Sequence, residues 1–366
     1  MFVCGPTVQS YMHLGHARTY IFYDVVARYL SWLGYKVDYL MNITDIDESI
    51  TSAARELGTD PVTLARRFSS AFIQDMASLG INTVRRYEPV SKHVAEMIRQ
   101  VSTLVGRARA YPVDGWVYFD TSRFRNFGKL SHLSRAELSL RPLELSLRKR
   151  NLLDFALWRP ERLLEGRWRS PWGVGSPGWH IQDTALTLSM LGPTYDIHGG
   201  AYELIYPHHE AEIAQAESLT GERPSVKYWI HTKLVNMKGE KMSKSRGNVV
   251  TVRDALKFYS ADELRFFFLS THYREDMDLR GLSRVARRYR ELRRATKSLL
   301  RWQKTAGRAP PLQSFVAAIN NDFDTPRAID ALAKSITSAN GRGEGHRSPA
   351  SAAVSAMEIL GVDLIG

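Results

Sequence analysis

The stretch MFVCGPTVQSYMHLGHARTYIFYDVVARYLSWLGYKVDYLMNI, residues 1–43, decides the fold. Its first eight residues, Met1–Val8, are apolar enough to read as a strand, and a loop containing Gly15 follows. Phe22, Val25, Val26, Tyr29, Leu30 and Leu33 then recur at helical spacing over Tyr20–Leu33, and Gly34 is a fitting helix stop. Tyr35–Ile43 reads as a second strand. Strand, helix and strand in this order make a βαβ unit, which implies an α/β fold with a parallel sheet.

Outward from this unit, residues 46–108 look mostly helical. Residues 109–175 scatter Trp, Pro and Gly among strand-like pieces such as Trp116–Phe119, and read as an insertion into the nucleotide-binding fold. Residues 178–232 return to alternating helices and strands. Two loop segments are expected, Asp196–Gly200 and Lys238–Asn248. From Asp262 the pattern is helical to the end, with breaks at Gly307–Pro311 and Gly341–Pro349. The expected divisions are 1–108 and 176–260 as halves of one nucleotide-binding domain, 109–175 as inserted segment, and 261–366 as a helical bundle.

Composition narrows the function classes. Hydrophobic residues are 44% of the 366, yet no run of about 18 apolar residues exists to span a membrane. The N-terminus lacks the basic region and long apolar stretch of a signal peptide. A single cysteine, Cys4, excludes an internal disulfide and points to a reducing compartment, the cytoplasm. A net charge of +12 favours polyanionic partners, nucleotides or nucleic acid.

Two segments carry phosphate chemistry. His13-Leu14-Gly15-His16 lies between the first strand and the first long helix, where helix N-terminal amides favour anions. Gly15 permits close approach, and two imidazoles can donate to phosphates as charge builds. Taken alone, the tetrad equally reads as two polar histidines beside a turn. Lys241-Met242-Ser243-Lys244-Ser245 lies in a polar loop whose lysines can neutralise a leaving pyrophosphate and whose serines can bond phosphate oxygens.

The tetrad resembles the first signature of class I aminoacyl-tRNA synthetases, and Lys241–Ser245 looks identical to the second. The finer resemblance is to cysteinyl-tRNA synthetases. It rests on Cys4-Gly5-Pro6-Thr7-Val8, Asn42-Ile43-Thr44-Asp45-Ile46-Asp47, Gly178-Trp179-His180-Ile181 and Asp196-Ile197-His198-Gly199-Gly200, and it extends through Pro207–Glu212 and Asp322–Pro326. The resemblance implies a Rossmann-type parallel sheet with an inserted subdomain, followed by a C-terminal α-helical bundle. It implies ATP, with Mg2+, as substrate. His13, His16, Lys241 and Lys244 would be catalytic; Gly15, Asp196, Gly199, Gly200, Ser243 and Ser245 would bind ATP. Thr44, Trp179 and His180 would line the amino-acid pocket.

The family also holds one zinc ion on two cysteines, a histidine and a glutamate. Three of these ligands map onto Cys4, His208 and Glu212, and the fourth falls on Asp183, where the family has cysteine. Gln182 likewise stands where the family has glutamate. Residue chemistry allows the set, since His208 and Glu212 share a helix face and zinc accepts thiolate, imidazole and carboxylate. Without the resemblance, His208 and Glu212 read rather as an ordinary solvated helix pair. An oxygen donor weakens the preference for zinc over harder cations. Two outcomes stand, a working Cys-Asp-His-Glu zinc site, which is favoured, and a site without metal.

The acceptor expected from the resemblance is the end of a tRNA. Arg284, Arg287, Arg288, Arg290, Arg293, Arg294, Lys297, Arg301 and Lys304 crowd one helical segment that either tracks an RNA backbone or is a solvated face. The sequence shows no counterpart of an anticodon-reading domain after the bundle. Two alternatives therefore remain: a ligase joining cysteine to a small amine, as in mycothiol synthesis, and an altered paralogue that binds RNA or a partner. No membrane is expected, and a monomer is favoured.

Overall fold

The computed structural model describes residues 1–141, 146–160, 168–242, 247–301, 310–340 and 347–364. The chain runs β1 (Phe2–Val3), α1 (Leu14–Trp32), β2 (Leu40–Ile43), α2 (Glu48–Glu56), α3 (Pro61–Ser78), β3 (Arg86–Pro89) and α4 (Val94–Gly106). There follow β4 (Ala110–Val113), β5 (Trp116–Phe119), α5 (Arg135–Ser139), β6 (Phe155–Pro160), β7 (Trp168–Ser170) and β8 (Gly173–Pro177). Then come α6 (Trp179–Leu191), β9 (Tyr195–Ala201), α7 (Glu210–Thr220) and β10 (Val226–Thr232). The remainder is β11 (Val235–Met237), β12 (Glu240–Lys241), α8 (Val252–Ala255), α9 (Ala261–Leu269), β13 (Met277–Asp278), α10 (Leu282–Arg301), α11 (Gln313–Asn320), α12 (Thr325–Asn340) and α13 (Arg347–Leu360).

The chain divides into two units, of which the first holds Met1–Ser10, Leu40–Ser70 and Arg86–His231. Its main sheet has the order β10-β9-β1-β2-β3, and β1 pairs in parallel with both β2 and β9. Phe2, Val3, Leu40 and Met41 are wholly buried, as expected of parallel strands covered on both faces. A second sheet, β4-β5-β6-β8-β7, is antiparallel and is the insertion. Met97, Val101 and Leu104 of α4, Ile181 and Ala185 of α6 and Ala211 and Ala214 of α7 pack with Phe119, Phe155 and Trp158 in one core. Each large side chain so buried contributes about 1.5–3 kcal/mol.

The second unit holds Tyr11–Tyr39, Ala71–Arg85 and Thr232–Gly366. Its α1 is anchored by two buried charges. Arg18 donates to the carbonyls of Lys233 (3.1 Å), Leu234 (2.6 Å), His272 (3.1 Å) and Glu275. Asp24 pairs with Arg265 of α9 at 2.5 Å and with Arg28 at 2.7 Å, and accepts from Thr83 Oγ1 at 2.8 Å. Arg265 also donates to the carbonyls of Leu79 and Leu360.

Several sequence expectations are corrected. Asp196–Gly200 is not a loop but lies inside β9, with His198 and Gly199 paired to Phe2 and Val3. The glycines that suggested a turn serve close packing: a Cβ on Gly200 would lie 2.8 Å from Leu204 Cδ1 and 3.2 Å from His209 Cε1. Within the helical stretch 46–108, Arg86–Pro89 forms β3, which its polar, Pro-ended sequence did not signal. Lys238–Asn248 includes the short hairpin strand β12, turned by Gly239 at φ +80°. The helical C-terminal part is interrupted by β13, parallel to β11. Most of Gly307–Pro311 and Gly341–Pro349 lies outside the described residues, and Arg347 opens α13.

Candidate functional site

Cys4 follows β1 directly, at the C-terminal edge of the parallel sheet, where open α/β sheets bind ligands. Its amide donates to Gly199 O at 3.0 Å. The next residue must be glycine, because a Cβ on Gly5 would lie 1.7 Å from Asn42 O. Asn42, buried in β2, is fully employed: Oδ1 accepts from Gly5 N at 2.5 Å, and Nδ2 donates to Thr44 Oγ1 at 3.1 Å and Asp183 Oδ1 at 2.8 Å.

This leaves Asp183 Oδ2 facing two donors, Cys4 Sγ at 3.5 Å and His208 Nε2 at 2.9 Å. His208 comes from a kinked turn, Ile205–His209, in which Tyr206 is extended, and α7 then carries Glu212. Glu212 Oε1 lies 3.2 Å from His208 Nε2 yet has no hydrogen-bond partner. Cys4, Asp183, His208 and Glu212 are all buried, with ligand atoms within 4.8 Å of one another. His208 is 1% and Glu212 3% exposed, which overturns the solvated-pair reading.

Zinc bonds of about 2.0–2.3 Å in a tetrahedron place ligand atoms roughly 3.3–3.8 Å apart. The four residues fit such an ion in spacing and donor type, and an orphaned buried carboxylate oxygen waits for a partner. The electrostatics agree. Burial pushes the Cys4 thiol well up, and the negative Asp183 and Glu212 add to this. Burial, then Asp183, pushes the Glu212 carboxyl up. Burial, with neighbouring imidazoles adding, holds His180, His198 and His209 well below the ordinary imidazole range. Buried acidic groups massed beside imidazoles that burial keeps neutral suit a bound cation.

The expected amino-acid pocket residues border this cluster. Trp179, half-buried at the start of α6, stacks on His208 with ring centroids 4.2 Å apart. His180 Nδ1 meets His208 Nδ1 at 2.9 Å. Thr44 is bridged to Thr7 just past β1 and β2. Beside them stand residues the sequence did not single out. His198 Nε2 and His209 Nε2 face Cys4 Sγ at 3.4 and 3.2 Å, and Trp229 stacks on His198 at 4.3 Å. Glu210, wholly buried, accepts from Gly128 N, Ser131 N and Ser131 Oγ, tying the start of α7 to the inserted segment. The only sequence signal for His198 and His209 was their place inside two quoted motifs.

Asp196 does not stand with Gly199 and Gly200. It lies two residues before the one that pairs with Phe2, toward the N-terminal edge of the sheet, exposed and bonded to Lys227 Nζ at 2.8 Å.

In the second unit, His13 caps α1: its Nδ1 accepts from His16 N at 3.3 Å, and the two rings stack at 3.7 Å. A neutral His13 so bonded carries its proton on Nε2. Gly15 makes room for this, since a Cβ there would lie 2.9 Å from His13 Cε1. Leu14 N donates to Val250 O and Val252 N to Met12 O, so the tetrad is laced to the segment beyond the lysine signature. Lys241 closes β12 opposite Asn236, and Met242 is buried with its methyl 3.6 Å from the Gly15 Cβ position. Ser243, Lys244 and Ser245 lie outside the described residues. Of the basic helix, Ala286, Tyr289, Leu292 and Thr296 form its buried stripe. Arg288 and Arg290 are held by Asp330 and Glu263, while Arg284, Arg287 and Arg294 are exposed. Lys304 lies outside the described residues.

A parallel sheet with a buried Cys-Asp-His-Glu cluster at its carboxyl edge, and a histidine tetrad that caps a helix, are features of a class I tRNA synthetase. Residues 1–284 match the family model described as tRNA synthetases class I (C) catalytic domain. The chain is 43% identical over 347 residues to a Cysteine--tRNA ligase of Pelotomaculum thermopropionicum, covering 91% of this chain and 72% of that protein. It is 43% identical over 332 residues to the Cysteine--tRNA ligase of Thermoplasma acidophilum, covering 88% and 73%. The chain therefore belongs to the cysteine--tRNA ligase family of class I synthetases. Solved structures share its fold at lower identity. Mycobacterium tuberculosis methionyl-tRNA synthetase, in complex with methionyl-adenylate, superposes with TM-score 0.67 at 17% identity, covering 98% of this chain and 89% of that one. The LeuRS of Agrobacterium radiobacter K84, from a ternary complex, gives 0.69 at 12%, covering 98% and 82%. Among the described residues no helix is long and apolar enough to cross a membrane.

Proposed function

We propose that this chain activates cysteine with ATP and transfers it to tRNA(Cys). The observation that carries the reading is the buried Cys4–Asp183–His208–Glu212 cluster beside Trp179 and Thr44, in a chain 43% identical to ligases of that name. In the first step the cysteine carboxylate attacks the α-phosphorus of ATP and pyrophosphate departs. In the second, a terminal ribose hydroxyl of the tRNA attacks the acyl carbon and AMP departs. No covalent protein nucleophile is required; the residues act by placing charge and hydrogen bonds.

His13 and His16 donate to the triphosphate at the N-terminus of α1, with His13 Nε2 the proton-bearing atom. Lys241 and Lys244 neutralise the leaving pyrophosphate, Ser243 and Ser245 bond its oxygens, and Mg2+ accompanies ATP. Gly15 and Gly199 let the nucleotide approach the backbone, while the space beside Gly200 is taken by Leu204 and His209. Asp196 fits this role less well, being engaged by Lys227. Cys4, Asp183, His208 and Glu212 would hold one zinc ion, which when bound would supply a Lewis acid for the substrate thiol. His180 orients His208 through Nδ1, and Trp179 and Thr44 line the amino-acid pocket. The exposed Arg284, Arg287 and Arg294 suit an RNA backbone.

The small-amine acceptor is not favoured, since the relatives above are tRNA ligases. The test is ATP–pyrophosphate exchange with cysteine and serine side by side, then aminoacylation of tRNA(Cys). Exchange with cysteine and charging of tRNA support the whole reading. Exchange without charging removes the second step, and no exchange with either amino acid removes both.

A further inference from the structure

The pocket around Cys4 contains more ligand atoms than one tetrahedral ion uses. Besides the four residues discussed above, Cys4, His198, His209 and Glu212 form a second buried group with ligand atoms within 4.8 Å of one another. We propose that these four residues are a second and tighter position for a divalent cation of the zinc class, overlapping the first at Cys4 and Glu212 and able to hold the ion without Asp183 or His208. This rests on the reading of the pocket as a metal centre.

Three observations carry it. The first is orientation. His198 Nδ1 is bonded to Tyr195 OH at 2.6 Å and His209 Nδ1 to His231 Nε2 at 2.8 Å. Each ring is thus fixed by its outer nitrogen and presents Nε2 to Cys4 Sγ, at 3.4 and 3.2 Å. Outer-nitrogen bonds of this kind are how metal-binding histidines are held. Gly200 contributes by having no side chain where the His209 ring lies.

The second is the carboxylate they share. Glu212 Oε1 faces His208 Nε2 at 3.2 Å, and Oε2 faces His198 Nε2 at 3.7 Å. One carboxylate therefore addresses both groups, with a separate oxygen for each.

The third is donor chemistry. The first set offers one sulfur, one nitrogen and two carboxylates; the second offers one sulfur, two nitrogens and one carboxylate. Zinc binds imidazole and thiolate in preference to oxygen-rich sets that suit harder cations. Thiolate and a single carboxylate also balance a dication, which matters where every ligand is buried. Asp183 has a separate partner in Asn42 and is not stranded when the ion sits on the histidines. The second set accounts for how a nitrogen- and sulfur-bound metal persists with aspartate at position 183.

The test is Co2+ binding to the full chain, read by tetrahedral ligand-field absorption, thiolate-to-cobalt charge transfer and metal content. Variants are Asp183→Asn, the double variant His198→Gln/His209→Gln, and that double variant with Asp183→Cys added. The expected result is that Asp183→Asn holds Co2+ within tenfold of the unsubstituted chain, while the double variant loses at least 100-fold, at or beyond the upper end for a single lost outer-shell partner. Adding Asp183→Cys recovers binding with stronger charge transfer, which shows that the double variant still folds. Release of Co2+ by Asp183→Asn overturns the inference, and so does a double variant that binds as tightly as the unsubstituted chain. No Co2+ binding by the unsubstituted chain overturns the metal-centre reading as well.

Discussion

His208 Nε2 stands 2.9 Å from Asp183 Oδ2, with both groups out of contact with water and Glu212 Oε1 on the other side of the same nitrogen at 3.2 Å. One imidazole is set against two carboxylates, and the Cys4 thiol adds a third acidic group 3.5 Å from Asp183. Without a cation, folding confines this acidity in a dry pocket. Chelation should therefore lower the thermal unfolding temperature, and added Zn2+ should restore it. At free metal 100 times its dissociation constant the stabilisation is about 2.7 kcal/mol. Calorimetry with and without chelator checks this, and a transition indifferent to chelator would contradict it.

The His13 cap separates two roles of one ring. Nδ1 accepts from His16 N, and Nε2 is the atom proposed to donate to the triphosphate. His13→Ala removes both, and should cost about 1 kcal/mol of stability through the lost cap and about 10²–10³-fold in the exchange rate. His13→Asn keeps a capping oxygen but lacks the outward donor, so it should lose rate while holding stability. Denaturant unfolding alongside pyrophosphate exchange distinguishes the variants. Equal stability loss in both would show that the cap is not the relevant contact.

The parallel sheet was legible because β1, β2 and α1 announce themselves locally: apolar runs, helical spacing, and Gly34, which adopts φ +93° just past the helix. β9 was not legible, because its glycines read as a turn when only sequence neighbours are considered. Their reason lies in His209 and Leu204, which pack against Gly200. The cluster on Cys4, Asp183, His208 and Glu212 came from resemblance rather than spacing, since residues 4 and 183 share no local rule. Spacing alone left His208 and Glu212 as a plausible solvated pair, and only the fold buries them. His198, His209 and His231 went unremarked for the same reason: a strand, a kinked turn and a second strand bring them together.

The Asp24–Arg265 pair tests the second unit. Arg265 is 1% exposed and donates to Asp24, Leu79 O and Leu360 O. Asp24→Asn leaves that guanidinium without its counter-charge, while Arg28 loses its carboxylate partner but keeps Gly80 O and Asn82 Oδ1. Breaking a buried pair from one side costs about 3–5 kcal/mol. The urea midpoint of Asp24→Asn should fall accordingly. Asp24→Asn/Arg265→Met should recover part of the loss, because an uncharged pair of similar volume leaves no buried charge at this contact. A double variant no more stable than the single would show that the charges act separately.

Gly5 ties the fold to the chemistry. A Cβ there would lie 1.7 Å from Asn42 O and 3.1 Å from Met41 Cγ, so Gly5→Ala must push the segment after β1 away from β2. That movement carries Cys4 with it and breaks the Gly5 N to Asn42 Oδ1 bond, which in turn frees the Asn42 amide that fixes Asp183. Backbone is the obstacle, so no rotamer change can relieve it. Gly5→Ala should lose metal by 10-fold or more and raise the KM for cysteine well beyond that for ATP. Asn42→Ala should reproduce the metal loss without the clash, because it removes the hydrogen bond that seats Gly5 beside Cys4 and leaves space. Metal content and paired KM values for both variants decide the matter. Gly5→Ala with intact metal binding would mean that β1 and β2 can separate without disturbing Cys4, and that the pocket is set by α6 and α7 alone.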